Sequence, residues 1–187
     1  MSDRIPLPRP GQGADKARMD EILRVDHAGE YAAVLIYRAQ RAVFEAKKGR
    51  EAITQDLAEM QDQEAVHLAR FERLLNERKV RPTAMTPVWR LAASALGAGT
   101  ALIGEKAAHA CTEAVESVIE QHYADQIAEI GERDPALAAE LKQFREEELA
   151  HHDHAIEHGS REAPAYRLLS GVIKAGCKAA IKISEKV

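Results

Sequence analysis

Glu64-Ala65-Val66-His67 and Glu148-Leu149-Ala150-His151 are the two Glu-x-x-His sequences of this 187-residue chain. On a helix, residues three apart lie on one face, a turn above each other. A carboxylate and an imidazole so placed can hold one metal ion, or bridge one ion while coordinating its neighbour. Two such helices, joined by an inward Glu from each of two further helices, make the dinuclear carboxylate site of a four-helix bundle. The fold therefore turns on whether the two extra Glu residues exist.

They are found by internal comparison. Glu30 precedes Glu64 by 34 residues, and Glu116 precedes Glu148 by 32. Glu30 and Tyr37 form Glu-x6-Tyr, as do Glu116 and Tyr123. Each half of the chain reads as Glu-x6-Tyr on one helix and Glu-x-x-His on the next. Glu113 and Glu120 lie one turn from Glu116 on either side, and the tyrosine spacing selects Glu116. The expected metal ligands are Glu30, Glu64, His67, Glu116, Glu148 and His151. Four buried carboxylates would repel one another, whereas two divalent cations balance their charge. Iron or manganese suits this mixed donor set better than zinc. Asp26, one turn before Glu30, is placed to orient a ligand imidazole. Helix geometry turns His152 about 100° from His151, so His152 and His154 read as supporting or surface residues. His27, His109, His122 and His158 have no comparable partner pattern and read as ordinary structural or solvated histidines.

Composition agrees with an all-α chain. Apolar residues make up 45%, charged residues 30% and aromatics only 4%, with Ala, Glu, Leu, Arg and Lys dominant. The net charge of -4 supplies no basic field for nucleic acid. Cys111 and Cys177 make neither a disulfide framework nor a thiolate site. Residues 1–14 carry three prolines and Gly11-Gln12-Gly13, without the apolar stretch of a secretory signal, and read as a flexible arm before one domain over 15–187.

Apolar periodicity predicts helices over 15–48 and 51–78, a short-turned antiparallel hairpin with Lys47 and Lys48 on the last turn of the first helix. Residues 80–87, with Pro82 and Pro87, connect the hairpins. Residues 88–104 follow, uncharged from Leu91 onward, and are too short to cross a membrane, which takes roughly 20 apolar residues. They read as a buried crossover helix or as one lying in a leaflet. Helices over 105–130 and from Asp134-Pro135 to about 158 form the second hairpin, with Asp134 as N-cap. The last segment sets Lys174, Lys178, Lys182 and Lys186 four apart beside apolar residues. It reads as a membrane-surface helix or as a core helix with a solvated lysine face.

Arg24-Val25-Asp26-His27-Ala28-Gly29-Glu30-Tyr31, Glu64-x-x-His67, Ala114-Val115-Glu116, His122-Tyr123 and Glu147-Glu148-Leu149-Ala150-His151-His152-Asp153 together resemble the demethoxyubiquinone hydroxylases of ubiquinone biosynthesis. The resemblance covers nearly all the chain after Asp15. It implies a ferritin-like four-helix bundle with two additional helices facing a membrane through 88–104 and 166–186. It implies two iron ions per chain, Glu30, Glu64 and His67 mainly on one and Glu116, Glu148 and His151 on the other, with some carboxylates bridging. It also implies a monooxygenase that uses dioxygen to hydroxylate a polyprenylated demethoxyubiquinol. His122 and Tyr123 match a family pair near the centre, which suggests electron or proton delivery. The implied setting is peripheral, on the cytoplasmic side of a bacterial membrane, with an accessory lipid-binding protein and a homo-oligomer as expected partners. Two rival readings share the ligands: an iron-storing protein, and a diiron hydroxylase of another substrate such as a tRNA base. Storage has no use for an apolar run beside a basic amphipathic helix, and the acidic charge disfavours nucleic acid.

Overall fold

The computed structural model describes residues 12–187, with side chains from Asp15 onward. The arm expected over 1–14 falls largely outside the described residues, and its last three form the first turn of the first helix. The elements are α1 (Gln12–Glu45), α2 (Glu51–Arg78), α3 (Thr86–Ile103), α4 (Glu105–Ile130), α5 (Pro135–Glu157), a 3₁₀ turn (Ser160–Glu162) and α6 (Tyr166–Ser184). There is no strand among the described residues.

Two boundaries differ from the sequence reading. α1 ends at Glu45, so Lys47 and Lys48 lie in the turn and not on the helix. The helix stops one residue past Phe44, its last buried anchor, and the Lys47 amide bonds back to the Phe44 carbonyl at 2.8 Å. Pro87 belongs to the first turn of α3 and not to the connection, because that position has no intrahelical use for an amide hydrogen. Asp134 caps α5 as expected, its side chain accepting from the Leu137 amide at 3.1 Å.

α1 packs along α2, and α4 along α5, forming the two hairpins of a bundle. One end of its core is Ile22, Leu23, Phe71, Leu74, Tyr123, Leu141 and neighbours. The other is Tyr37, Phe44, Ile53, Leu57, Met60 and neighbours. Burying each large apolar side chain contributes about 1.5–3 kcal/mol. The six predicted ligands lie along the bundle axis on α1, α2, α4 and α5, and all are buried.

α3 and α6 sit outside these four helices. α3 lies against α1 through Ala93, Gly97, Thr100 and Ala101. A Cβ on Gly97 would come within 2.4 Å of the Ile36 carbonyl oxygen, so only glycine permits this approach. Gly104, at φ 144°, turns the chain sharply from α3 into α4. α6 packs on α4. Trp89 Nε1 donates to Ser184 Oγ at 3.0 Å, tying the start of α3 to the end of α6. No helix among the described residues is long and apolar enough to cross a membrane.

α6 has apolar residues on two faces. Ile173 is buried, while Leu168 and Val172 are 70% and 63% exposed. At 100° per residue, the Lys174, Lys178, Lys182 and Lys186 row winds round α6, from about 160° away from Val172 at Lys174 to about 40° away at Lys186. α3 adds Leu91, Leu102 and Ile103, all exposed. Neither of the two readings for each segment is therefore complete, since each helix buries one side and leaves an apolar side uncovered.

Candidate metal centre

Four helices bring Glu30, Glu64, His67, Glu116, Glu148 and His151 to one point. The residues form two overlapping groups, Glu30, Glu64, His67 and Glu148, then Glu64, Glu116, Glu148 and His151, each with ligand atoms within 4.8 Å of one another. Glu64 and Glu148 belong to both groups. His67 Nδ1 lies 3.3 Å from Glu148, 3.5 Å from Glu30 and 3.6 Å from Glu64. His151 Nδ1 lies 3.1 Å from Glu64 and 3.7 Å from Glu148.

The donor atoms fit a pair of divalent ions. Both oxygens of Glu64 and of Glu148, Oε2 of Glu30 and of Glu116, and Nδ1 of His67 and of His151 are buried without a hydrogen-bond partner. Native interiors leave few polar atoms unpaired. Here eight are gathered at one place, all from residue types that bind cations. Glu113 and Glu120 are not among them. Glu113 is pinned by Ser160 Oγ at 2.5 Å and Tyr166 Oη at 2.7 Å, and Glu120 accepts from Arg145 Nε at 2.9 Å.

The supporting contacts cross between the hairpins. Tyr37 donates to Oε1 of Glu116, and Tyr123 donates to Oε1 of Glu30. Burial and the nearby carboxylates raise both phenols well above their ordinary pKa, so both stay protonated donors. Each tyrosine thus holds the glutamate of the other Glu-x6-Tyr pair and leaves its Oε2 aimed at the centre. His67 Nε2 donates to Glu147 at 2.6 Å, and His151 Nε2 sits 2.5 Å from Gln63 Oε1. These bonds set Nδ1 as the free nitrogen of each ring. The two supporting residues immediately precede Glu64 and Glu148, each reaching the histidine of the opposite helix. Sequence reasoning missed both, although the same position in each motif carries a hydrogen-bond acceptor.

Asp26 does not orient a ligand imidazole. It accepts from Gln126 Nε2 at 2.7 Å and lies 3.7 Å from His122 Nε2. α1 turns it away from His67 and His151 towards α4. Burial holds its carboxyl well above the usual range. His122 accepts from Gln126 at 2.9 Å and touches none of the six cluster residues, whereas Tyr123 binds one directly. His152 pairs with Asp153 at the surface.

With no cation between them, these groups share protons. Burial raises the carboxyls of Glu64 and Glu116, and neighbouring carboxylates add to it. Burial opposes charge on His67 and His151, but the surrounding carboxylates outweigh it and raise both, His151 to about 9 from 6.5. Glu64, Glu116, His67 and His151 are all raised, so the folded metal-free protein keeps protons that the unfolded chain releases. The stabilising contribution of His151 is complete below pH 6.5 and is lost as pH rises through about 9, and the raised carboxyls act with the same sign. The melting temperature of metal-stripped protein should therefore fall between pH 6.5 and 9. Metal-loaded protein should not show that fall, because cations replace the protons. A rising melting temperature of stripped protein across this window would contradict the arrangement.

An apolar cavity of about 390 Å³ lies between α3 and α6, over the faces of α1 and α4. Ile36, Trp89, Leu96, Val115, Val172 and Cys177 are among its walls. Beneath it a small cavity of about 30 Å³ is bordered by Glu30, Tyr123, His122 and Asp26. Val25, Gly29, Ile119 and Ile181 line both, so the two cavities are neighbours and the small one lies beside Glu30.

A helical bundle with a buried Glu4His2 cluster beside an apolar cavity defines the class of carboxylate-bundle metal proteins. The family model described as "Ubiquinone biosynthesis protein COQ7" matches residues 17–184, and this chain belongs to that family. It is 48% identical over 178 residues to the 3-demethoxyubiquinol 3-hydroxylase of Rhodospirillum rubrum, covering 95% of this chain and 82% of the relative. It is 49% identical over 176 residues to the NADPH-dependent 3-demethoxyubiquinone 3-hydroxylase, mitochondrial, of Mus musculus, covering 92% of this chain and 79% of the relative. Against the 5-demethoxyubiquinone hydroxylase, mitochondrial, of Saccharomyces cerevisiae it is 39% identical over 189 residues, covering 93% and 80%.

Proposed function

We propose that this chain is a diiron monooxygenase that hydroxylates the ring of a polyprenylated demethoxyubiquinol, the penultimate step of ubiquinone biosynthesis. The observation that carries this reading is the large apolar cavity next to the small one bordered by Glu30 of the Glu4His2 cluster. Glu30, Glu64 and His67 would hold one iron and Glu116, Glu148 and His151 the other, with Glu64 and Glu148 bridging. Bound there, ferrous iron supplies the electrons that activate dioxygen. The balance is one ring C–H, one dioxygen, two electrons and two protons in, with one ring hydroxyl and one water out.

The protein's own part is orientation and exclusion. Tyr37 and Tyr123 fix the two terminal glutamates, and Glu147 and Gln63 fix the imidazole rings. The apolar walls take the isoprenoid tail and keep water from the ring. The ring would sit in the large cavity at its end lined by Gly29, on the side nearest Glu30 and Tyr123. Tyr123 holds a proton at its hydroxyl, beside the Glu30 carboxylate. His122 lies at the outer edge of the same small cavity and is kept neutral mainly by burial, which suits proton exchange with solvent. Iron storage would use the same ligands but has no role for the apolar cavity.

The substrate's tail implies a lipid surface. The uncovered apolar residues of α3 and α6, with the lysine row of α6, form the face that meets it. Each lysine near an anionic surface contributes about 1 kcal/mol. Changing Lys174, Lys178, Lys182 and Lys186 together to Gln should weaken binding to anionic vesicles at least about tenfold at low salt and leave the iron content unchanged. Wild-type protein that ignores such vesicles would remove the membrane-docked form of the proposal. The activity itself is tested by turnover of a long-tailed demethoxyubiquinol by the reduced, iron-loaded protein, read as ring-hydroxylated product.

A further inference from the structure

Away from the Glu4His2 cluster, three helices bring histidines and a carboxylate together at one end of the bundle. Asp56 lies near the start of α2, His109 near the start of α4, and His154 and His158 near the end of α5. One ligand atom from each of Asp56, His154 and His158 lies within 4.8 Å of the others. None of these residues belongs to the six-residue cluster.

The details are those of a cation site. His154 and His158 are four apart, on one face of the last turns of α5, and their rings stack at 4.0 Å. The His158 Nδ1 donates to the His154 carbonyl at 2.8 Å, which leaves Nε2 as the nitrogen with a free lone pair. The His154 Nε2 is buried without a hydrogen-bond partner. It stands 3.4 Å from Asp56 Oδ2. That is long for a charge-assisted hydrogen bond. It is the spacing of two ligands on one tetrahedral ion, since metal–ligand bonds of roughly 2.0–2.1 Å set neighbouring ligands about 3.4 Å apart. The His109 ring, from α4, lies 5.3 Å from that of His158 and 6.0 Å from that of His154.

We propose that Asp56, His154 and His158 form a second, mononuclear site for a divalent ion of the zinc class, with His109 closing the side towards α4. Imidazole with a single carboxylate suits zinc or cobalt, in contrast to the oxygen-rich cluster at the bundle centre. The ion clamps α2 to the end of α5, with the His109 ring of α4 packed beside it, at the end of the bundle where Arg50 and Glu105 also pair at 2.6 Å. The role is structural and independent of the hydroxylase reading.

The test uses iron-loaded protein, freed of loose metal and titrated with Co²⁺ alone. Wild type should take up one further equivalent with the intense visible absorption of tetrahedral cobalt. His154→Asn and Asp56→Asn, both at partly exposed positions, should keep the iron content and the helical signal of wild type. Each should bind that equivalent at least about tenfold more weakly, the lower end of what losing even a supporting contact costs a metal site. Failure of wild type to take the extra equivalent would overturn the proposal. So would equal uptake and spectra in wild type and both variants.

Discussion

Glu148→Ala should leave a folded protein that retains almost no metal and has lost at least about 100-fold in activity. Glu148 is fully buried, neither of its oxygens has a hydrogen-bond partner, and it belongs to both four-residue groups of the cluster. Under the proposed bridging, its removal would take a ligand from each ion at once and leave three carboxylates to balance two cations. The loss is not one of folding, because without metal a buried carboxylate is a burden on stability. Metal analysis and circular dichroism together check this. The graded control is Glu147→Gln, which weakens the charge-assisted bond to His67 Nε2 but removes no ligand. Loss of a supporting contact of this kind costs about 10–100-fold in metal affinity. Glu148→Ala protein that keeps two metals per chain would refute the bridging assignment.

Gly29→Leu should separate the path of the substrate from the metal site. Gly29 lies beside Glu30 and lines both cavities, and a Cβ there meets nothing within 4 Å. A Cβ is accommodated there, and the rest of a leucine side chain would occupy space shared by the two cavities. Replacing a mid-helix glycine also favours the helix by about 0.5–1 kcal/mol, so the melting temperature should hold or rise. Metal content should stay at the wild-type level while turnover of a long-tailed quinol falls at least tenfold, on the order of 1.4 kcal/mol in transition-state access. A stable variant with full metal and undiminished turnover would mean that the substrate reaches the cluster by another route.

The parts of this site that follow from local periodicity were legible in the sequence. Glu64 and His67 share a helix face because they are three apart, and so do Glu148 and His151. Glu116 was separable from Glu113 and Glu120 by its spacing from Tyr123; in the structure it lies in the cluster, while the other two are bound by Ser160, Tyr166 and Arg145. The reason the tyrosine spacing works was not legible. Tyr37 and Tyr123 serve the opposite hairpin, and nothing in a seven-residue spacing encodes a partner 79 or 93 residues away. The same limit explains Asp26. It is one turn from Glu30, but its direction is set by where Gln126 lies on a different helix. The cavity was hidden for a related reason. α3 read as an apolar helix and α6 as a basic amphipathic one, and only their separation across α1 and α4 leaves a space between them.

The central claim is that the Glu4His2 cluster hydroxylates a lipid quinol drawn through the apolar cavity. It is tested most directly by single-turnover reaction of reduced, iron-loaded protein with a polyprenylated demethoxyubiquinol under ¹⁸O-labelled dioxygen. Mass spectrometry of the extracted quinone should find one labelled oxygen in the new ring hydroxyl, and none when Glu148→Ala is used. Oxidation of the iron with the quinol recovered unchanged would contradict the account and favour iron handling by the same ligands.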